Sequence, residues 1–211
     1  MKKSTAEEIE NKPGKLAAQI VFNTLIKNDF HMWFVGNLEG NHLYTFNLSN
    51  EEREQLLKAC EQSTSKDLHL AVVIALSTGA RKQEVWNLSW NEIDLKNGTV
   101  IFSQTKNDEA RSVPLSNDVH EMFREWSKVR RIDTPKIFPS KTNANQGILL
   151  ERPWRTALKK AGIEDFKWHD LRHSTASYLA MSGVPMRSIA EILGHKTCLL
   201  YTSTIPRDRG C

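Results

Sequence analysis

Cysteine is scarce in this sequence, which carries only Cys60, Cys198 and Cys211 among its 211 residues. Their number is odd, their spacing is wide and no two are separated by only two residues, so we expect neither a disulfide framework nor a zinc module. Cysteine used in this way is typical of a reducing compartment, and we predict a cytoplasmic protein.

Long hydrophobic runs are missing as well. The first residues, Met1 to Glu8, contain no apolar segment of the kind found in signal peptides. The most apolar stretch, residues 68–80, is too short to cross a bilayer and includes His69 and Ser77, so we predict no membrane partner. Internal repeats and low-complexity tracts are also missing, which argues against a repeat architecture.

The excess of positive charge is small. Lysine and arginine outnumber aspartate and glutamate by 29 to 25, which gives a net charge of +4. This balance fits a polyanionic partner without requiring one. With 39% hydrophobic residues, the composition is that of an ordinary globular domain with a core of its own.

Turn-forming residues between positions 36 and 50 divide the chain. Residues 1–47 are too few to form an independent core, so the domain that we predict covers residues 48–211. Ser49 and Glu52 have the spacing of a capping box, which predicts that a helix begins directly after Ser49.

The middle of the chain predicts a small sheet within a mainly helical domain. Apolar runs on both sides of Asn97-Gly98 predict a hairpin over residues 93–102, and residues 112–115 predict a third strand. Apolar residues elsewhere recur at helical spacing. The helices are predicted from these groups: Leu68 to Leu76 ending at Gly79; Val119, Met122, Phe123 and Trp126; Leu171, Thr175, Tyr178 and Leu179; and Ile189, Ile192 and Leu193. The predicted fold class is therefore α+β, mainly helical with a three-stranded antiparallel sheet.

Three parts of the sequence concentrate chemically useful side chains. The first is residues 78–85 with Arg81 and Glu84, and the second is the polar turn with Lys106. The third consists of the two histidine-containing segments 169–173 and 193–197. Taken singly, each has a structural explanation. Arg81 can balance the negative end of a helix dipole, and it has the spacing of a helical ion pair with Glu84. Their order along the chain is more informative than any one of them.

In this order, the segments resemble the catalytic domain of tyrosine recombinases, the phage integrase family. The resemblance covers about residues 48–197. The matching motifs are Thr78-Gly79-Ala80-Arg81 with Glu84, Lys106 before Ser112-Val113-Pro114-Leu115, His169 with Arg172, and Leu193-Gly194-His195-Lys196-Thr197. The resemblance implies the fold of DNA breaking-rejoining enzymes and the activity of a site-specific recombinase or integrase.

The resemblance also implies how these side chains would treat a phosphate. Arg81 and Arg172 would bind its oxygens, because a planar guanidinium reaches two oxygens at once and stays charged. His169 and His195 would hydrogen-bond the phosphate and help to move protons. Glu84 would orient the site without reacting.

The reacting groups implied by the resemblance are a proton donor and a nucleophile. Lys106 would protonate the departing 5′ oxygen. The nucleophile of the family is a tyrosine that forms a covalent 3′-phosphotyrosyl link, which conserves bond energy, so no ATP, metal or other cofactor is implied. In the family this tyrosine lies about two and a half helical turns beyond the equivalent of His195. Here Tyr201 follows His195 by only six residues, and Pro206 would break a helix there.

Residues 197–211 therefore depart from the family pattern, and three interpretations stay open. Tyr201 is a displaced nucleophile, or the true tyrosine lies beyond a truncated end. In the third interpretation the tail is out-of-frame sequence, and Tyr201 is accidental. Tyr178 lies on an apolar helix face and is expected in the core.

The partner implied by the resemblance is double-stranded DNA, bound mainly through its phosphates. Members of the family usually carry a helical core-binding domain before the catalytic one. Residues 1–47 are expected to be a remnant of such a domain, so we expect weak DNA binding by this chain alone. A complete homologue would act as a homo-tetramer on two recombination sites.

One alternative is a DNA-binding protein without catalysis. Residues 179–193, with Gly183 at a break and Pro185 at the start of a second helix, have the layout of a helix-turn-helix. Met186 and Arg187 would then face the bases. This interpretation leaves Arg81 and Lys106 without a purpose.

Two further alternatives are an inactive recombinase fragment and a metal hydrolase. The fragment would keep the fold and lack the nucleophile. The hydrolase would use His169, His173 and His195, and the first two have a ligand spacing of four residues on a helix. Asp170 and Leu171 follow His169, however, so the glutamate of an HExxH motif is missing.

Overall fold

A computed structural model describes residues 48–103 and 110–194 of the chain. The helices are α1 (Asn50–Glu61), α2 (Asp67–Thr78), α3 (Lys82–Trp86), α4 (Asn117–Lys128), α5 (Glu151–Ala161), α6 (Asp170–Met181) and α7 (Met186–Leu193). The strands are β1 (Ile93–Asp94), β2 (Thr99–Phe102) and β3 (Arg111–Pro114), and a short 3-10 turn covers Trp90–Glu92. This is the predicted α+β fold, mainly helical with one small sheet.

Helix α1 begins where the capping box predicted. The Ser49 hydroxyl accepts a hydrogen bond from the Glu52 backbone N–H at 3.1 Å, and the Ser49 N–H donates to the Glu52 carboxylate at 2.8 Å. The two bonds satisfy the backbone N–H groups of Glu52 and Ser49, which have no carbonyl partner within the helix. The helix buries Leu56 and Cys60 against α2 and α5.

Helix α2 is the centre of the core. Ten of its twelve residues are buried, because α1, α4 and α6 pack around it. Such a helix is apolar on all sides rather than along one stripe. It ends at Gly79, which has a φ of +62°, and the Gly79 N–H donates to the Ala75 carbonyl at 2.9 Å. The end predicted from the sequence is confirmed.

The sheet has the antiparallel order β1-β2-β3. The predicted hairpin joins β1 to β2, but its loop spans residues 95–98 and is not a two-residue Asn-Gly turn. The Asp94 carboxylate accepts hydrogen bonds from the N–H groups of Lys96 and Asn97, both at 2.9 Å, which closes the longer loop. Strand β3 begins at Arg111, one residue before the prediction, and Arg111 pairs with Phe102.

Helices α4, α6 and α7 bury the faces that periodicity predicted. In α4 the buried residues are Val119 and Phe123. In α6 the Tyr178 ring is buried and its hydroxyl donates to the Leu48 carbonyl at 3.0 Å, so Tyr178 is a core residue as predicted. In α7 the buried residues are Ile189 and Leu193. No helix within the described ranges is both long and apolar enough to span a bilayer.

Three tryptophans hold the start of α6 in place. The Trp168 ring packs edge-on against Trp154, with centroids 5.0 Å apart, and against Trp86, with centroids 5.5 Å apart. Trp168 directly precedes His169, and Trp86 ends α3. This aromatic contact ties the two segments that carry the predicted site residues to each other.

Candidate active site

Arg81 and Glu84 lie at the start of α3, where the chain leaves α2. The Arg81 backbone N–H donates to Glu84 Oε2 at 2.8 Å, and Arg81 Nη1 donates to Glu84 Oε1 at 2.9 Å. The carboxylate thus satisfies an open N–H at the helix N-terminus and also holds the guanidinium of the same residue. Arg81 Nη2 lies 3.4 Å from the Gly194 carbonyl, which it contacts as a donor.

Arg111 on β3 holds the other side of the same carboxylate. Its Nη1 donates to Glu84 Oε1 at 2.9 Å and its Nη2 donates to Oε2 at 2.6 Å. Only 8% of the Arg111 side chain and 3% of the Glu84 side chain are exposed, so this is a buried two-point ion pair. The Arg111 guanidinium also stacks on the Phe102 ring, 4.6 Å from its centroid.

The Glu84 carboxylate stays ionised at neutral pH. Burial alone would raise its pKa, but the hydrogen bonds from Arg111 and from the Arg81 backbone N–H outweigh burial and hold the pKa below its ordinary value. Glu84 is therefore a permanent negative charge between two arginines.

Arg172 lies on α6 and is almost fully buried. Its Nη1 donates to the Gly79 carbonyl at 2.7 Å and its Nη2 donates to the Leu193 carbonyl at 2.5 Å, so one guanidinium joins the end of α2 to the end of α7. A guanidinium has five N–H donors, and two bonds to carbonyls do not exhaust it. Leu193 and Gly194 are consecutive, so Arg172 and Arg81 are held on neighbouring carbonyls.

Gly79 and Leu193 pack too closely for any larger residue at position 79. A Cβ on Gly79 would lie 2.2 Å from Leu193 Cδ2, well inside contact distance. The positive φ of Gly79 also favours glycine. The turn that presents the Gly79 carbonyl to Arg172 therefore depends on glycine.

The positive charges in this site act on one another. Burial, followed by the charges of Arg81 and Arg111, lowers the pKa of Arg172 to about 10. Arg172 remains charged at neutral pH, and its lowered pKa reflects its burial first and the neighbouring cations second. We refer to Arg81, Arg111, Arg172 and Glu84 as the arginine cluster. Three guanidiniums and one carboxylate leave it with a net positive charge.

His169 borders the arginine cluster at the start of α6. Its side chain is exposed, and its ring packs edge-on against His173, with centroids 4.9 Å apart. Burial of part of the ring, then the neighbouring His173 and Arg172, lower its pKa below 6.5. At neutral pH the His169 imidazole is uncharged, with one nitrogen able to donate and the other able to accept.

The structure thus brings together Arg81 and Glu84 at α3 with His169 and Arg172 at α6, two segments that lie far apart in the sequence. Lys106, His195 and Tyr201 lie outside the described residues. The combination of cationic donors and a neutral imidazole suits a phosphate-sized anion.

Arg111 is the residue that the sequence reasoning missed. A signal existed, because alternate residues of a strand point to the same face and Val113, two positions on, is apolar and buried. That alternation places Arg111 on the inward face of β3. An arginine beside a polar turn is usually a solvated surface residue. Residue type and position alone therefore do not distinguish a buried site arginine from a surface one.

Two observations on the described residues concern the helix-turn-helix and metal-hydrolase alternatives. Met186 is 73% exposed, and the exposed Arg187 pairs with Glu191 at 3.3 Å on the same helix. Within residues 48–103 and 110–194, no three histidine, cysteine, aspartate or glutamate side chains are grouped as a metal site would require.

Known proteins share this fold. The catalytic domain of bacteriophage HP1 integrase superposes with a TM-score of 0.57 at 30% identity, over 72% of this chain and 81% of that one. The site-specific recombinase XerH, solved after cleavage with its palindromic difH substrate, superposes with a TM-score of 0.60 at 26% identity, over 77% of this chain and 49% of that one. The fold is that of a tyrosine recombinase catalytic domain.

Sequence comparison gives the family. The model of the phage integrase family matches residues 47–200, and the chain belongs to this family. The integrase of Salmonella phage P22 is 32% identical over 158 residues, which is 70% of this chain and 40% of that protein. The chain spans about half the length of several other curated relatives that it matches.

Proposed function

We propose that this chain is the catalytic part of a site-specific tyrosine recombinase that cleaves and rejoins DNA through a covalent 3′-phosphotyrosyl intermediate. The observation that carries the proposal is the placement of the Arg81 and Arg172 guanidiniums on the adjacent carbonyls of Gly194 and Leu193. Two fixed cations side by side match the two non-bridging oxygens of one phosphodiester.

In the proposed reaction a tyrosine oxygen attacks the phosphorus and the 5′ oxygen leaves. Negative charge on the non-bridging oxygens rises toward the transition state, and Arg81 and Arg172 stabilise it because they are already in place. Lys106 gives its proton to the leaving 5′ oxygen, and the neutral His169 imidazole takes the proton that the tyrosine hydroxyl loses. His169 and His195 also hydrogen-bond the phosphate. Attack by a 5′-hydroxyl on the phosphotyrosine then restores the DNA backbone and releases the tyrosine.

The nucleophile in this proposal is Tyr201 or a tyrosine that the sequence does not include. Glu84 has a supporting role, since it holds Arg81 through both the backbone and the guanidinium. The step needs no ATP, because the phosphotyrosyl link retains the energy of the cleaved bond. The proposal assigns no role to a metal ion or another cofactor.

Duplex DNA is the proposed partner. The XerH structure, which contains DNA, supports it, as does the net positive charge of the arginine cluster. Residues 48–211 would form the catalytic domain and residues 1–47 a remnant of a core-binding domain. A complete homologue would assemble as a homo-tetramer, and the protein would act in the cytoplasm.

The test is the formation of a covalent adduct on a nicked suicide substrate, in which loss of the short strand traps the intermediate. If Tyr201 is the nucleophile, we expect a protein–DNA adduct that withstands denaturant and EDTA, and no adduct from Arg81→Ala or Tyr201→Phe. Arg124→Ala is the matched control, since Arg124 pairs with Glu121 on the exposed face of α4. An adduct that persists in Tyr201→Phe removes Tyr201 as the nucleophile. If the unmodified chain forms no adduct, it is an inactive fragment.

The same variants separate catalysis from simple DNA binding. A helix-turn-helix protein would bind a short duplex equally well with Arg81 or alanine at position 81. A recombinase would lose cleavage in Arg81→Ala.

A further inference from the structure

We propose that Arg111 is a positioning residue of this site. Arg111 holds the Glu84 carboxylate, and Glu84 in turn orients the Arg81 guanidinium toward the phosphate. Because Arg111 also pairs with Glu84, the positive charge of Arg81 is not cancelled. The catalytic part of this inference rests on the proposed function. The structural basis of the inference is the ion pair between Arg111 on β3 and Glu84 on α3, two residues that lie 27 positions apart in the sequence.

The first argument is geometric. Arg111 Nη1 donates to Glu84 Oε1 and Nη2 donates to Oε2, and this two-point contact fixes the rotation of the carboxylate plane. Phe102 supports the Arg111 guanidinium by stacking. The fixed carboxylate then presents one oxygen to the Arg81 backbone and the other to Arg81 Nη1. The orientation of Arg81 is therefore set by Arg111 through Glu84.

The second argument concerns charge. A buried carboxylate paired with Arg81 alone would cancel the charge that Arg81 needs in order to attract a phosphate. Because Arg111 is the second partner of Glu84, the net charge of the arginine cluster is one unit more positive than Arg81, Glu84 and Arg172 would give without it. Its side chain is 8% exposed, so this charge acts at short range with little screening.

The third argument is the contact between Arg111 and the end of α7. A Cβ on Gly194 would lie 3.0 Å from Arg111 Cδ, so the alkyl chain of Arg111 packs directly against this turn. Gly194 has a φ of +65° and supplies the carbonyl that contacts Arg81. One side chain thus supports the carboxylate and the turn that together place Arg81.

Binding of inorganic phosphate tests this role without DNA cleavage. Phosphate is titrated into protein labelled with ¹⁵N-arginine, and the Nε–H signals of Arg81 and Arg172 are followed by NMR. In Arg111→Met we expect the Arg81 signal to shift before phosphate is added, and the phosphate affinity to fall about tenfold, the scale of one lost charge at short range. Arg111→Lys keeps the charge and loses the two-point contact. We therefore expect its phosphate affinity to lie between those of the unmodified chain and Arg111→Met. Arg124→Met is the control for loss of a surface arginine.

Two results would overturn the proposal. One is an Arg111→Met protein that keeps the Arg81 signal and the phosphate affinity of the unmodified chain. The other is an Arg111→Lys protein no better than Arg111→Met, since the charge would then have no role. If the methionine variant does not fold, as judged by circular dichroism, the lysine variant decides alone: wild-type phosphate affinity with an unmoved Arg81 signal rejects the proposal, and a partial loss supports it.

Cleavage kinetics supply a second readout that simple damage to the fold would not reproduce. We expect Arg111→Met to slow adduct formation at saturating DNA while the Kd for duplex DNA changes little. With a methylphosphonate at the scissile position, one phosphate oxygen has lost its charge, so the defect should shrink. An equal defect on both substrates contradicts a role through Arg81. If the unmodified chain forms no adduct, the proposed function fails, while the phosphate titration still decides the role of Arg111.

Discussion

Replacement of Gly79 by alanine tests the packing that places Arg172. Gly79 has a φ of +62°, and an added Cβ would lie 2.2 Å from Leu193 Cδ2. Gly162 provides a matched control, because it also ends a helix and has a φ of +68°, while a Cβ added there would meet no atom within 4 Å. The two substitutions share the backbone strain and differ in the steric clash.

The expected magnitudes follow from these two terms. The left-handed conformation disfavours alanine by about 1 kcal/mol, and this is the whole expected loss of unfolding free energy in Gly162→Ala. Gly79→Ala adds overpacking against Leu193, about 1–3 kcal/mol. We therefore expect Gly79→Ala to lower the free energy of unfolding by about 2–4 kcal/mol.

Urea unfolding of both variants measures the difference. Because the Gly79 carbonyl accepts a hydrogen bond from Arg172, we also expect weaker phosphate binding in Gly79→Ala and unchanged binding in Gly162→Ala. Equal destabilisation by the two substitutions would refute the reasoning, since it would mean that Leu193 does not pack against position 79.

Two further predictions concern the charged groups. Arg172→Ala leaves the buried carbonyls of Gly79 and Leu193 without their donor, so we expect a loss of about 2–4 kcal/mol in urea unfolding and no DNA adduct; wild-type stability would contradict the two hydrogen bonds. His173→Gln removes a neighbour that lowers the pKa of His169, so that pKa should move up toward 6.5 in an NMR titration; an unchanged midpoint would show that His173 does not act on it. Between the native pKa and 6.5 the unfolded chain binds a proton that native His169 does not, so wild-type stability should fall as the pH drops through this range, and less so in the variant.

Local signals in the sequence were enough to predict much of the fold. The Ser49 and Glu52 capping box and the Gly79 helix end depend on residues within four positions of each other, and the structure confirms both. The predicted hairpin is confirmed, and the Asp94 side chain closes its loop, residues 95–98, by binding backbone N–H groups. Asn97-Gly98 alone does not reveal that competing interaction.

The arginine cluster was only partly predictable, because its contacts join distant parts of the chain. Glu84 and Arg81 are three positions apart and were predicted as a pair. The pairing of Glu84 with Arg111 spans 27 positions, and that of Arg172 with Gly79 spans 93. Such contacts arise from tertiary packing, and periodicity or spacing within one element does not encode them.

The most direct test of the central claim is a structure of this chain bound to a DNA duplex that contains a scissile phosphate. The account predicts that Arg81 and Arg172 both donate hydrogen bonds to non-bridging oxygens of one phosphate, with the His169 imidazole within hydrogen-bond distance of it. A structure in which the two arginines contact different phosphates, or in which the scissile phosphate binds away from the arginine cluster, would contradict it.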